Sequence, residues 1–260
     1  MSKKSISIFQ PVWLLLQQHL YHRYRGSLLG GIWLFLQPLL YVLLFAIVFS
    51  QFMVMRFEPG APKHAYVIYL ISGLLLWNAF INTVLQLSTV YQQYGSYLRK
   101  IPLSLLIFPI FIPLLELIIW LIGMAVFTIF LLVIDYQFSW IQLYLFPLVV
   151  MVLIFAYGLG MIAAVLNTFI PDVSHVLQAL QQVFFWATPI VYLKDILPIW
   201  AQYWLGFNPM ADAVGYAQTL MLWHQHPDQW ALVWVMVAVL ICLLAFILVK
   251  RSERVLRDLL

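Results

Sequence analysis

Long apolar runs alternate along this chain with short stretches of Gln, Tyr, Pro and basic residues, and the runs are too long for strands. In lipid, an apolar segment of that length satisfies its backbone only as a helix. A crossing takes about 20 mainly apolar residues for a hydrocarbon core of roughly 30 Å. That rule predicts six crossings, over 31–55, 66–90, 105–134, 141–168, 176–193 and 230–249. The third contains Pro109 and Pro113 near its start, which predicts a kink or a short broken opening turn. The fifth carries Gln178, Gln181 and Gln182, a polar face suited to protein or a wet cavity rather than lipid.

Three stretches between the runs do not cross. Residues 5–29 interleave apolar positions with Gln and Arg, which predicts an amphipathic helix lying in the membrane interface. Residues 91–104 form a polar, aromatic and basic loop between two long helices. In 193–229 the apolar patches are too short to cross and are punctuated by Pro198, Pro209 and Pro227, which predicts short re-entrant or interfacial helices covered by protein. No internal repeat stands out. The predicted fold class is an all-α integral membrane protein of one domain.

Composition narrows the class further. Of 260 residues, 65% are hydrophobic and 8% charged. A soluble domain is about 45–50% apolar and about 25% charged, so a soluble enzyme, a disordered chain and a disulfide-stapled secreted domain are all excluded. The single cysteine, Cys242, allows neither an intrachain disulfide nor a cysteine-based zinc site. The net charge of +4 does not point to nucleic acid, because the basic residues flank the apolar runs instead of lining one face. With both termini in the cytoplasm, ten of the 13 lie inside: Lys3, Lys4, Arg23, Arg25, Arg99, Lys100, Lys250, Arg251, Arg254 and Arg257. The positive-inside rule selects that orientation, although the inner loop around 170–175 carries no basic residue. The first residues do not read as a cleavable signal peptide.

Catalytic chemistry is thin. The acids are scattered, with no paired-carboxylate motif and no H-E-x-x-H. His224, His226 and Asp228 lack a fourth ligand and read as a solvated or interfacial loop, not a metal site. Glu116 is the only acid well inside a predicted crossing, where it reads as a protonated or hydrogen-bonded packing residue in preference to an ion-coupling one. No G-x-x-x-x-G-K-[ST] loop occurs, so ATP would have to be bound by another subunit. Tyr41, Phe45, Phe49 and Phe52 fall on one helical face, and Phe184, Phe185 and Trp186 lie in the fifth run. Such stripes most often serve helix packing.

Four stretches carry a resemblance. Arg23-Tyr24-Arg25-Gly26-Ser27-Leu28-Leu29-Gly30-Gly31-Ile32-Trp33 leads through Leu34-Phe35-Leu36-Gln37 to Pro38. Gly73-Leu74-Leu75-Leu76-Trp77-Asn78-Ala79-Phe80 lies in the second run. Thr188-Pro189-Ile190-Val191-Tyr192 lies at the end of the fifth run, and Asn208-Pro209-Met210 follows it. In this order, and over nearly the whole chain, they resemble the polysaccharide-exporting ABC-transporter permeases. The O-antigen type is the most similar, with capsule and teichoic-acid permeases close behind. Two departures stand out: Pro171-Asp172 replaces an Arg-Asp pair, and Tyr216 and Gln218 stand where the family has an arginine.

The resemblance implies a permease in the bacterial inner membrane, paired with a second copy of itself and with two cytoplasmic ABC ATPase subunits that bind ATP and Mg. It implies ATP-driven export of lipid-linked polysaccharide through a channel between the two copies. Arg23, Arg25, Gly26, Ser27, Leu29 and Gly30 would receive the lipid headgroup, against the alternative that the arginines only contact anionic lipid. The 91–104 loop, with Tyr91, Tyr94, Tyr97, Arg99 and Lys100, would couple to the ATPase instead of being a plain solvated turn. The aromatic stripes of the first and fifth runs would line the channel. Less favoured readings are a polyprenyl-dependent membrane enzyme and an ion-coupled carrier.

Overall fold

The computed structural model describes residues 13–17, 27–52, 64–100, 104–225 and 230–259. Among these the chain is helical with no strand: α1 (Trp33–Phe52), α2 (Ala65–Ser88), α3 (Val90–Lys100), α4 (Phe111–Val133), α5 (Leu145–Phe169), α6 (Asp172–Trp186), α7 (Ile199–Leu205), α8 (Pro209–Leu222) and α9 (Trp230–Leu259). Of the interfacial stretch 5–29, residues 13–17 form a helical turn whose Leu16 is buried, and 1–12 and 18–26 lie outside the described residues.

Four segments are long and apolar enough to cross a membrane: Ala65–Ser88, Phe108–Val133, Trp140–Phe169 and Val233–Leu259. The prolines at the start of the third predicted run produce a 3-10 turn over Phe108–Ile110 before α4 begins. The fifth predicted run differs. Its helix starts earlier, at Asp172, and stops at Trp186, while Thr188–Tyr192 turns away from the helical path. Pro189 is the physical reason, because it has no amide hydrogen and disfavours the α conformation in the residue before it. The 15 residues of α6 reach about 22 Å, short of a roughly 30 Å core.

α2 is the central element and is buried along most of its length. It packs on α5, α8, α4, α1 and α6, while α5 also carries the extensive contact with α9. Lipid supplies little hydrophobic drive between helices, so close backbone approach and hydrogen bonds must hold them together. Gly158 of α5 meets that need: a Cβ there would stand 3.0 Å from the Cys242 backbone nitrogen and 3.1 Å from the Ile241 carbonyl carbon of α9. Two buried clusters divide the bundle along its length. One joins α2, α4, α5, Ile190 and α8, and the other gathers Leu16, the α2–α3 junction, the start of α4 and the end of α9.

Candidate functional site

Residues that lie far apart in sequence meet at the Thr188–Tyr192 turn. Its carbonyls point away from any helix ladder, and a backbone acceptor left bare at membrane depth is costly. α2 and α8 supply the donors. Tyr69 hydroxyl lies 3.0 Å from the Pro189 oxygen and 2.9 Å from that of Tyr192, and Tyr66 donates to the Val191 oxygen at 2.6 Å. Gln218 Nε2 donates to the Pro189 oxygen at 3.0 Å. Asn208 Nδ2 donates to the Ala187 oxygen and the Thr188 hydroxyl, each at 3.1 Å, while its Oδ1 accepts from Met210 N at 3.0 Å and caps α8. Pro209 at the first helical position costs no bond there. Gly73 lets α2 approach: a Cβ would fall 2.9 Å from Gln218 Nε2. Gln218 was noticed in the sequence only as the replacement for a family arginine. Here it is buried and holds the turn.

The predicted coupling loop is a helix, α3, over most of its length. Val90, Tyr91, Tyr94 and Leu98 face the bundle at helical spacing, and Gln92 and Gln93 are exposed. Tyr91 is buried and its hydroxyl donates to the Leu105 oxygen at 3.0 Å, so it braces α3 instead of presenting a surface. Tyr94 packs edge-on to Phe108 and Phe111. Tyr97 is 48% exposed. Gln92 Nε2 donates to the Asn167 oxygen at 3.0 Å, tying α3 to the end of α5; nothing in the sequence singled out Gln92. The side chains of Arg99 and Lys100 lie outside the described residues.

Pro171 and Asp172 start α6 without the family's arginine. Asp172 lies in the first turn, where the helix dipole favours a carboxylate. The Ser174 amide donates to Asn167 Oδ1 at 3.0 Å, closing the α5–α6 corner.

Of the predicted headgroup residues, Arg23, Arg25 and Gly26 lie outside the described residues. Ser27, Leu29 and Gly30 form a turn into α1: Gly30 N donates to the Ser27 oxygen at 3.2 Å, and Trp33 Nε1 donates to the Ser27 hydroxyl at 2.9 Å. Gly30 has φ +49°, a left-handed conformation that glycine adopts without a Cβ clash. Among the predicted channel aromatics, Tyr41, Phe184 and Trp186 are exposed on the protomer. Phe185 turns inward, edge-on to Trp77 at 5.9 Å. The side chains of Phe45, Phe49 and Phe52 lie outside the described residues.

His226 and Asp228 also lie outside them. His224 Nε2 is 3.1 Å from the Tyr136 hydroxyl and 3.2 Å from Gln142 Nε2, and Tyr136 donates to the Met221 oxygen. Burial pushes the Tyr136 phenol up to about 12, so it stays neutral and pins the α4–α5 loop to the end of α8.

Residues 10–222 match the ABC-2 type transporter family, and the chain belongs to that family. It is therefore a transport subunit, not an enzyme, and permeases of this family work with separate ABC ATPase subunits. The chain is similar to the O-antigen export system permease protein RfbA of Myxococcus xanthus, at 29% identity over 218 residues, 82% of this chain and 81% of the relative. It is also similar to two proteins of that name from Klebsiella pneumoniae, at 25% and 24% identity over 80% of this chain and 78% of each.

Proposed function

We propose that this chain is the membrane subunit of an ATP-driven exporter of lipid-linked polysaccharide, of the O-antigen kind. It works in the bacterial inner membrane as a pair of identical copies with two cytoplasmic ATPase subunits that hold ATP and Mg. The observation that carries the reading is the clamp at Thr188–Tyr192. It joins two of the four motifs through Asn208 and Thr188, with Tyr69 and Gln218 bonding the same turn from outside them, and the relatives named as O-antigen export permeases share most of the chain's length.

In this reading the chain crosses six times, the fifth by α6 together with the Thr188–Tyr192 turn, and both termini are cytoplasmic. The pyrophosphate headgroup meets Arg23 and Arg25, whose guanidinium groups donate paired hydrogen bonds to phosphate oxygens, beside the Ser27–Gly30 turn. α1 and α6 leave broad faces uncovered by their own protomer, with Gln178, Gln182, Phe184 and Trp186 exposed on α6. A second copy placed against those faces encloses a corridor of aromatic and amide groups, where weak repeated contacts pass a polymer without trapping it. α3, bonded to α5 and braced on α4, moves both when the ATPase pushes on its exposed side.

Deleting the chain from cells that make a lipid-linked surface glycan tests the reading. The expected outcome is loss of surface glycan with lipid-linked polymer accumulating inside, restored by the chain but not when the ATPase cannot hydrolyse ATP. Unchanged surface glycan would overturn it.

A further inference from the structure

Glu116 of α4 is 1% exposed, inside the bundle, where a lone carboxylate is costly. Gln86 Nε2 donates to its Oε1 at 2.7 Å, and Asn82 Nδ2 approaches its Oε2 at 3.4 Å. Both donors lie on α2, and Asn78 stands one turn before Asn82, so the three amides form a stripe along one helix face. Gln86 Oε1 is buried and has no hydrogen-bond partner among the described residues. Beside the stripe lies a cavity of about 180 Å³ whose wall includes Pro38, Tyr41, Asn78, Asn82, Glu116 and Trp120. Leu34 is in the same wall, and Pro38 has no amide hydrogen to give it, so the Leu34 carbonyl loses its intrahelical donor.

Depth separates a substrate pocket from a lipid-headgroup site. Asn82 and Asn78 lie about 9 and 15 Å along α2 from its Ser88 end. With α2 centred in a roughly 30 Å core, they sit about 6 and 12 Å inside the hydrocarbon, beyond the reach of ordinary headgroups. The space is smaller than the roughly 300–1,000 Å³ of pockets that take drug-sized ligands. The chemistry fits hydroxyls: each carboxamide donates and accepts, the carboxylate and the freed carbonyl accept, and the Trp120 and Tyr41 rings offer flat apolar surface. A metal ion fits poorly, since no group of three His, Cys, Asp or Glu side chains that could hold one occurs among the described residues.

We propose that this cavity is the subsite for the first, lipid-proximal sugar of the glycan, within the protomer and apart from the corridor between copies. The inference rests on the export reading. The cavity lies near the headgroup turn, because Leu34 comes two residues after the Gly30–Ile32 turn. As the headgroup leaves Ser27–Gly30 to cross, its first sugar is received beside Glu116.

Cys242 is the single cysteine, so a Cys242→Ser/Asn78→Cys chain carries one thiol, in the cavity wall. The full complex is labelled in membranes with a small charged methanethiosulfonate, from cells with the glycan and from cells lacking the first glycosyltransferase. The thiol is expected to react without glycan and about tenfold more slowly with it, the protection given by ligand roughly tenfold above its Kd. Equal rates, or no reaction in either membrane, would overturn the subsite. Asn82→Leu and Glu116→Leu are expected to cut export about tenfold for each hydrogen bond lost, and Glu116→Gln far less. Full export in Asn82→Leu would count against the subsite even where Glu116→Leu fails to fold. If deleting the chain leaves surface glycan intact, the export reading itself falls. If deletion abolishes export while labelling ignores the glycan, only the subsite falls.

Discussion

Gln218 of α8 donates its side-chain amide to the carbonyl of Pro189 at 3.0 Å, joining two helices' connecting turn to a helix that begins twenty residues later. The turn exists because Pro189 ends α6, and it persists because Gln218 and Tyr69 bond the carbonyl this exposes. Gln218→Leu removes one of those donors inside the bundle. The expected loss is about 1–3 kcal/mol, the cost of a buried unsatisfied acceptor, read as a lower unfolding temperature in detergent.

Because Tyr69 and Gln218 serve the same oxygen, their effects should not add. Combining Tyr69→Phe with Gln218→Leu is expected to give a coupling energy of about 0.5–3 kcal/mol in a double-mutant cycle of unfolding. Strict additivity would mean that the two side chains hold the turn independently.

At Gly158 a methyl group meets backbone, which cannot swing aside as a side chain tip can. Gly158→Ala should force α5 and α9 apart and destabilise the chain by about 1–3 kcal/mol. A thermal melt within error of wild type would show that the helices shift freely there.

Tyr91 and Tyr97 separate stability from coupling. Tyr91→Phe removes the donor to the Leu105 oxygen and should lower stability by about 1–2 kcal/mol. Tyr97→Ala touches an exposed ring, so the melt should stay within about 0.5 kcal/mol while ATP hydrolysis by the complex loses its link to export. Export per ATP hydrolysed is the measurement, and an unchanged ratio would remove Tyr97 from the coupling surface.

Asp212 of α8 gives a pH signature. Burial raises its carboxyl above the ordinary value of 3.8, opposed by the Trp234 indole, which donates to Oδ2 at 2.8 Å, and by Lys194. A raised value in the folded state means that folding favours the protonated form. That contribution is complete below the unfolded value and is lost as pH rises through the folded one. Asp212→Asn should therefore raise the unfolding temperature at neutral pH and flatten its fall as pH rises above the ordinary carboxyl value. A variant less stable than wild type at pH 7 would refute this.

Much of the site was legible in the chain, and what was missed has a pattern. Pro189 sits inside an apolar run, and length alone extended the helix through it, although a proline is itself a stop signal. Pro109 lies in the short 3-10 turn that opens the third run, while Pro113 falls in the first turn of α4. Gln92 gave no local sign, because its bond to the Asn167 oxygen spans 75 residues.

Run length and composition determined that this is a helical membrane protein, since lipid permits a long apolar backbone almost no other form. The order of four motifs pointed to its family. Tertiary structure alone decided that Tyr66, Tyr69, Asn208 and Gln218 converge on one turn, that Tyr91 is buried while Tyr97 is exposed, and that the Asn78–Gln86 stripe faces Glu116. Periodicity tells which residues share a face of one helix. Which faces then meet depends on how helices pack, and packing is set by contacts between residues tens of positions apart.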